Sequence, residues 1–86
     1  MSLKERFGAN LRRARRRAGL TQEQLALMTE MHRTEISYLE RAKRTPRIDT
    51  LVKLVCALEC SSDELIEGMG WKPNLGDYGR WVVADG

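Results

Sequence analysis

Cys56 and Cys60 stand one helical turn apart, the spacing of a metal-binding pair, but no second Cys or His pair accompanies them. That is half a metal site, so the pair reads as two reduced thiols of a cytoplasmic protein. The stretch Met1-Ser2-Leu3-Lys4-Glu5-Arg6 agrees, because it lacks the apolar run of a signal peptide. His32 is the single histidine, with no acid or nucleophile in a recognisable catalytic arrangement around it. The expectation is a protein that is not an enzyme and holds no metal and no cofactor. What the chain has in quantity is guanidinium. Residues 1–47 carry twelve Lys and Arg against five Glu, a balance of +7, whereas residues 48–86 carry three against seven, a balance of −4. Such a division suits one face turned to a polyanion and another turned elsewhere, although charge alone is equally consistent with a solvated arginine-rich helix.

Those side chains must be carried by short helices. Phe7, Leu11, Ala14 and Ala18 recur at helical spacing, which predicts an amphipathic helix over about 3–18, stopped by Gly19. Thr21 and Gln24 form a capping box for a second helix that ends near Thr29, with Leu25 and Ala26 inward. A third is predicted from about Arg33 to Arg41, with Ile36 and Leu39 inward, and Pro46 then marks a basic loop over 42–47. Leu51, Leu54, Val55 and Leu58 form the stripe of a fourth helix over about 48–58. Ser61 and Glu64 are expected to form a capping box for a short fifth, through Ile66.

After Gly68 the composition changes. Gly68, Gly70, Pro73, Gly76 and Gly79 exclude a helix, while Trp71 and Arg80-Trp81-Val82-Val83 have strand character. A β-hairpin or a pair of short strands is predicted over 71–83, turning near 74–78. An isolated hairpin is marginal in water, so it must lean on the domain itself or on a second copy of the chain. With 86 residues there is room for one compact domain with a thin core, which favours a binding module over an enzyme that encloses a deep pocket. No apolar stretch is long enough to span a membrane.

The run Gly19-Leu20-Thr21-Gln22-Glu23-Gln24-Leu25-Ala26, then Ile36-Ser37-Tyr38-Leu39-Glu40-Arg41, then Pro46, Leu51 and Asp63-Glu64-Leu65, resembles the Cro/phage-repressor-like (XRE) helix-turn-helix family over about residues 7–67. The resemblance implies an all-α, five-helix, lambda-repressor-like DNA-binding domain over 1–67, followed by a tail over 68–86 that could serve dimerisation. It further implies that the second and third helices form the helix-turn-helix and that the third enters the major groove of double-stranded DNA. A helix of about ten residues fits a groove about 12 Å wide, and its N-terminal side chains reach base edges. Here those are Arg33, Thr34, Ser37 and Tyr38, opposite Ile36 and Leu39. Arg33 could donate two hydrogen bonds to guanine, Thr34 could meet a base edge or a thymine methyl, and Tyr38 could instead pack on the sugar-phosphate backbone.

The N-terminus of the second helix is expected to meet a phosphate, with Gln22 adding a donor as the matching glutamine does in family members. Lys43 and Arg44 are expected on phosphates, and His32 could join them when protonated. Arg15 matches the family position that pairs with Glu40, so an internal Arg15–Glu40 ion pair is implied. Arg12, Arg13, Arg16 and Arg17 are read as mainly solvated, with room for one or two to face phosphate.

Several positions depart from the family pattern. Glu30, Ala42 and Glu59 stand where turns usually have glycine, which implies strain or another turn geometry. His32 replaces the usual serine or threonine cap, and Cys60 replaces a core valine. One recognition helix covers few base pairs, so a homodimer on a palindromic operator is expected, joined through Leu65, Ile66, Met69, Trp71 and the tail. Phage-type repressor, restriction-modification controller and toxin-binding antitoxin all remain open. So does a protein partner of another kind, as in an adaptor that has lost DNA binding.

Overall fold

The structure is a computed structural model and describes residues 1–85. Five helices follow one another: α1 (Leu3–Arg17), α2 (Gln22–Thr29), α3 (Arg33–Glu40), α4 (Ile48–Leu58) and α5 (Ser62–Ile66). They enclose one core of Phe7, Leu11, Ala14, Leu25, Ala26, Ile36, Leu39, Leu54, Leu58 and Leu65. Leu65 is fully buried there, so it is not available to the interface for which the sequence suggested it. The remaining expected interface residues, Ile66, Met69 and Trp71, keep part or more of their surface. Among the described residues no helix is long and apolar enough to cross a membrane.

The helix ends follow from local chemistry. Ser2 and Thr21 cap α1 and α2 through complete capping boxes with Glu5 and Gln24. At α5 the box is only half made. Ser61 accepts from the Glu64 backbone, whereas the Glu64 carboxylate bonds Arg17 across the domain. The first four helices all close by the same 6→1 bond, made by Leu20, Met31, Lys43 and Cys60 to Arg15, Ala26, Tyr38 and Val55. That closure requires a left-handed residue just before the donor. Gly19 supplies it at φ 74°, but the other three are Glu30 at 54°, Ala42 at 61° and Glu59 at 51°. The family turn geometry is therefore kept at these non-glycine positions, and each carries the strain of a Cβ in the left-handed region.

Periodicity does not single out Gly8, yet this residue governs how α1 meets α3. A Cβ there would lie 2.7 Å from the carbonyl oxygens of both Leu39 and Glu40. Only a residue without a side chain lets the two backbones approach this closely.

Strands β1 (Met69–Lys72) and β2 (Arg80–Val83) pair antiparallel, Met69 opposite Val83 and Trp71 opposite Trp81. The hairpin thus begins two residues before the predicted segment, because Ala84 donates to Gly68 at 2.7 Å and extends the pairing to the very end of α5's exit. Trp71 and Trp81 meet edge to face with ring centroids 5.1 Å apart. A buried polar latch ties the tail to α1. Arg6 donates to Asn10 Oδ1 at 3.1 Å and to the Ala84 carbonyl at 3.5 Å, while Asn10 donates to the carbonyls of Leu65 and Glu67 at 3.0 and 2.8 Å. The hairpin accordingly leans on its own domain.

Candidate nucleic-acid interface

The connection between α2 and α3 comprises only residues 30–32, and its left-handed Glu30 turns the chain so that both helices deliver apolar faces to one core. Ile36 and Leu39 are buried, which directs the opposite side of α3 outward. Arg33 and Thr34 are exposed, and Ser37 and Tyr38 are half-buried. His32 caps the helix. Its Nδ1 accepts from the Thr34 backbone at 3.4 Å and lies 3.2 Å from the Thr34 hydroxyl. Thr34 is thereby drawn toward the helix start.

Basic groups surround this surface. Lys43 and Arg44 are exposed in the loop after α3. The Arg44 and Arg41 guanidinium carbons lie 5.1 and 5.5 Å from the centre of the Tyr38 ring. Tyr38 is therefore a platform that organises two cations at the C-terminal end of α3. Arg33 forms an ion pair with Glu23 of α2, Nε to Oε1 at 2.8 Å.

Behind the surface, Glu40 is a buried hub. Arg15 contacts it through two bonds, Nε to Oε2 at 2.6 Å and a terminal nitrogen to Oε1 at 3.0 Å. Arg12 and Gln22 also donate to Oε1, at 3.3 and 3.2 Å. Burial works to raise the Glu40 pKa, but the bonds from Arg15 and Gln22, the Arg15 charge and the bond from Arg12 together hold it below the ordinary carboxylate value. The bond to Glu40 correspondingly raises Arg15. One carboxylate thus ties together α1, the start of α2 and the end of α3. Gln22, expected as a phosphate donor, spends one amide hydrogen on this hub and keeps the second.

In the arginine cluster Arg13, Arg16 and Arg17 are exposed, as expected, and Arg12 is half-buried, but three of the four are also paired. Arg12 joins Glu40, Arg13 pairs with Glu67 at 2.7 Å, and Arg17 pairs with Glu64 at 3.0 Å. Arg6 is buried, in the latch that holds the tail. Their partners lie 28 to 78 residues away, and periodicity carries no trace of contacts over such separations. Cys56 is exposed and Cys60 half-buried, and burial pushes the Cys60 thiol up. Among the described residues no group of three or more His, Cys, Asp or Glu side chains converges.

The HTH_3 family model, described as helix-turn-helix, matches residues 11–65. The chain belongs to the Cro/C1-type (XRE) helix-turn-helix family. Control protein C.SmaI of Serratia marcescens is 38% identical over 76 residues, 88% of this chain and 90% of that protein. The restriction-modification controller C.AhdI of Aeromonas hydrophila superposes with a TM-score of 0.69 at 34% identity, covering 72% of this chain and 94% of its own. The P22 c2 repressor, solved with a synthetic operator, superposes with a TM-score of 0.66 at 32% identity and the same two coverages, 72% and 94%. The five helices with a short antiparallel pair are thus a lambda-repressor-like fold, and this XRE protein is a DNA-binding transcriptional regulator rather than an enzyme.

Proposed function

We propose that this regulator reads the major groove of double-stranded DNA with α3, as a homodimer on a palindromic operator. Arg33, Thr34, Ser37 and Tyr38 supply the base contacts, and Gln22, His32, Lys43 and Arg44 supply phosphate contacts that set register. Residues 1–67 are the DNA-binding unit. The observation that carries this reading is that the outer side of α3 stands open. The tail packs on α1, and α3 packs on α1 and α2, so nothing described covers Arg33 and Thr34.

The tail, residues 68–86, is the dimerisation element in this reading. Trp71 and Trp81 are 52% and 59% exposed, and with Leu3, Ile66 and Met69 they line an apolar groove of about 270 Å³. The two rings alone offer on the order of 250 Å² of aromatic surface. That is about a quarter to two-fifths of the roughly 600–1,000 Å² that each partner contributes to a stable interface. In a two-fold dimer the two copies of α3 are expected on half-sites one helical turn, about 34 Å, apart. The names of C.SmaI and C.AhdI, a control protein and a restriction-modification controller, favour the same role here, exercised in the cytoplasm.

Selection of bound sequences from a random duplex pool tests the DNA reading directly: a two-fold symmetric consensus is expected, and recovery of unrelated sequences would defeat it. Titration with salt should lower log affinity by roughly 0.9 per neutralised phosphate per log unit. Sedimentation at micromolar concentration tests the assembly, and a monomer with and without DNA would eliminate the dimer.

A further inference from the structure

The Glu23–Arg33 pair does little for the fold. Both side chains are more than half exposed, 62% and 58%, and an ion pair so open to solvent contributes little to stability. A carboxylate in the first turn of α2 also stands beside the helix end that, with Gln22, is the proposed seat of a phosphate. There it repels the DNA backbone and so weakens binding of every sequence. Its place in the first turn favours the α2 dipole, but any acid there would do that without reaching Arg33, so the contact itself calls for another role.

The geometry at Arg33 supplies one. The contact to Glu23 is made at Nε, which leaves the two terminal nitrogens to other partners. Those two nitrogens form the planar fork that matches O6 and N7 of guanine. We propose that Glu23 is a specificity-determining positioning residue, holding Arg33 so that its terminal fork meets a guanine in the major groove. The proposal rests on base reading by Arg33.

On the matching base pair both interactions coexist, because they use different edges of the guanidinium. On any other base pair Arg33 finds at most a single acceptor instead of the O6 and N7 pair its fork matches, and a backbone phosphate competes for it. Swinging there breaks the pair and leaves the Glu23 carboxylate unneutralised beside the DNA. Glu23 therefore penalises the wrong complex more than the right one, and discrimination rises although absolute affinity falls.

Four proteins test this: wild type, Glu23→Gln, Arg33→Ala and the double variant. Each is titrated against a duplex recovered by selection, its single-position base-pair variants, and an unrelated duplex of equal length. Melting temperatures of the free proteins should fall by no more than a few degrees in Glu23→Gln, as the pair is exposed and only the first-turn charge of α2 is lost. Arg33→Ala identifies the position that Arg33 reads, where its preference collapses. Glu23→Gln should bind the unrelated duplex several-fold more tightly while flattening the preference at that one position by about fivefold, out of the roughly 5- to 150-fold that a bidentate arginine–guanine contact supplies. In the double variant, Glu23→Gln should cause no further flattening. If Glu23→Gln tightens all duplexes by one factor and leaves the preference at the Arg33 position intact, Glu23 is mere repulsion and the proposal is overturned while base reading by Arg33 stands. If Arg33→Ala leaves every preference intact, base reading by Arg33 fails first, and the role of Glu23 falls with it.

Discussion

Replacing Glu40 with glutamine probes the hub that holds α1, α2 and α3 together. The change keeps the side-chain shape but removes the charge, so that Arg15, only 11% exposed at its side chain, loses its counter-ion. Removing one partner of a buried ion pair costs about 3–5 kcal/mol. The Arg15 bond to the Leu20 carbonyl, 2.9 Å, survives the change, and Arg12 is 43% exposed and can turn to water. Both facts place the expected loss near the lower limit, about 3 kcal/mol. Domains of this size are stable by about 5–15 kcal/mol, and each kcal/mol moves Tm by roughly 4–8 °C, so Tm should fall by about 12–24 °C. Thermal unfolding followed by far-ultraviolet circular dichroism measures this. A second variant separates charge burial from packing: Arg15→Met with Glu40→Leu should recover much of the loss, since apolar replacement of a buried pair is often neutral. A Glu40→Gln protein that melts with the wild type would refute the reasoning.

Three further outcomes follow from the geometry. Gly8→Ala should destabilise by about 1–2 kcal/mol despite a helix-propensity gain of about 1 kcal/mol, because the new methyl meets backbone oxygens that cannot step aside; an unchanged denaturant midpoint would show that α1 and α3 can part freely. Ala42→Gly should stabilise by about 0.5–1 kcal/mol, the relief of a left-handed alanine exceeding the entropy that glycine adds to the unfolded chain, and a lower Tm would contradict this. Because the Glu40 carboxyl is held below its unfolded value, its contribution is complete above about pH 4.5 and is lost as pH falls through the folded value. Stability measured against pH should decline in that acid window with a steeper slope for wild type than for Glu40→Gln, and equal slopes would count against the assignment.

Much of this arrangement was legible from residue order. Apolar spacing located the helices, Thr21 with Gln24 marked the start of α2, and the family positions of Glu30, Ala42 and Glu59 marked turns whose left-handed geometry is kept without glycine. Other features depend on directions that one-dimensional spacing does not hold. Asn10 sits among arginines on α1 and looks solvated, yet it is 1% exposed because α5 and the tail end above it and need its amide. Glu64 stands at the third position of a capping box but faces Arg17, a stronger partner brought close only by the packing of α5 on α1. Gly8 looks like a weak point in a helix until the carbonyls of α3 are placed over it.

Both tryptophans of the chain reside in the hairpin, facing each other across it, and the helical region has none. Indole emission therefore reports on the appendage alone, whereas peptide absorption is dominated by the helices. Comparing the two signals along one heating curve would reveal whether the arm melts together with the body or detaches beforehand as a separate cooperative unit.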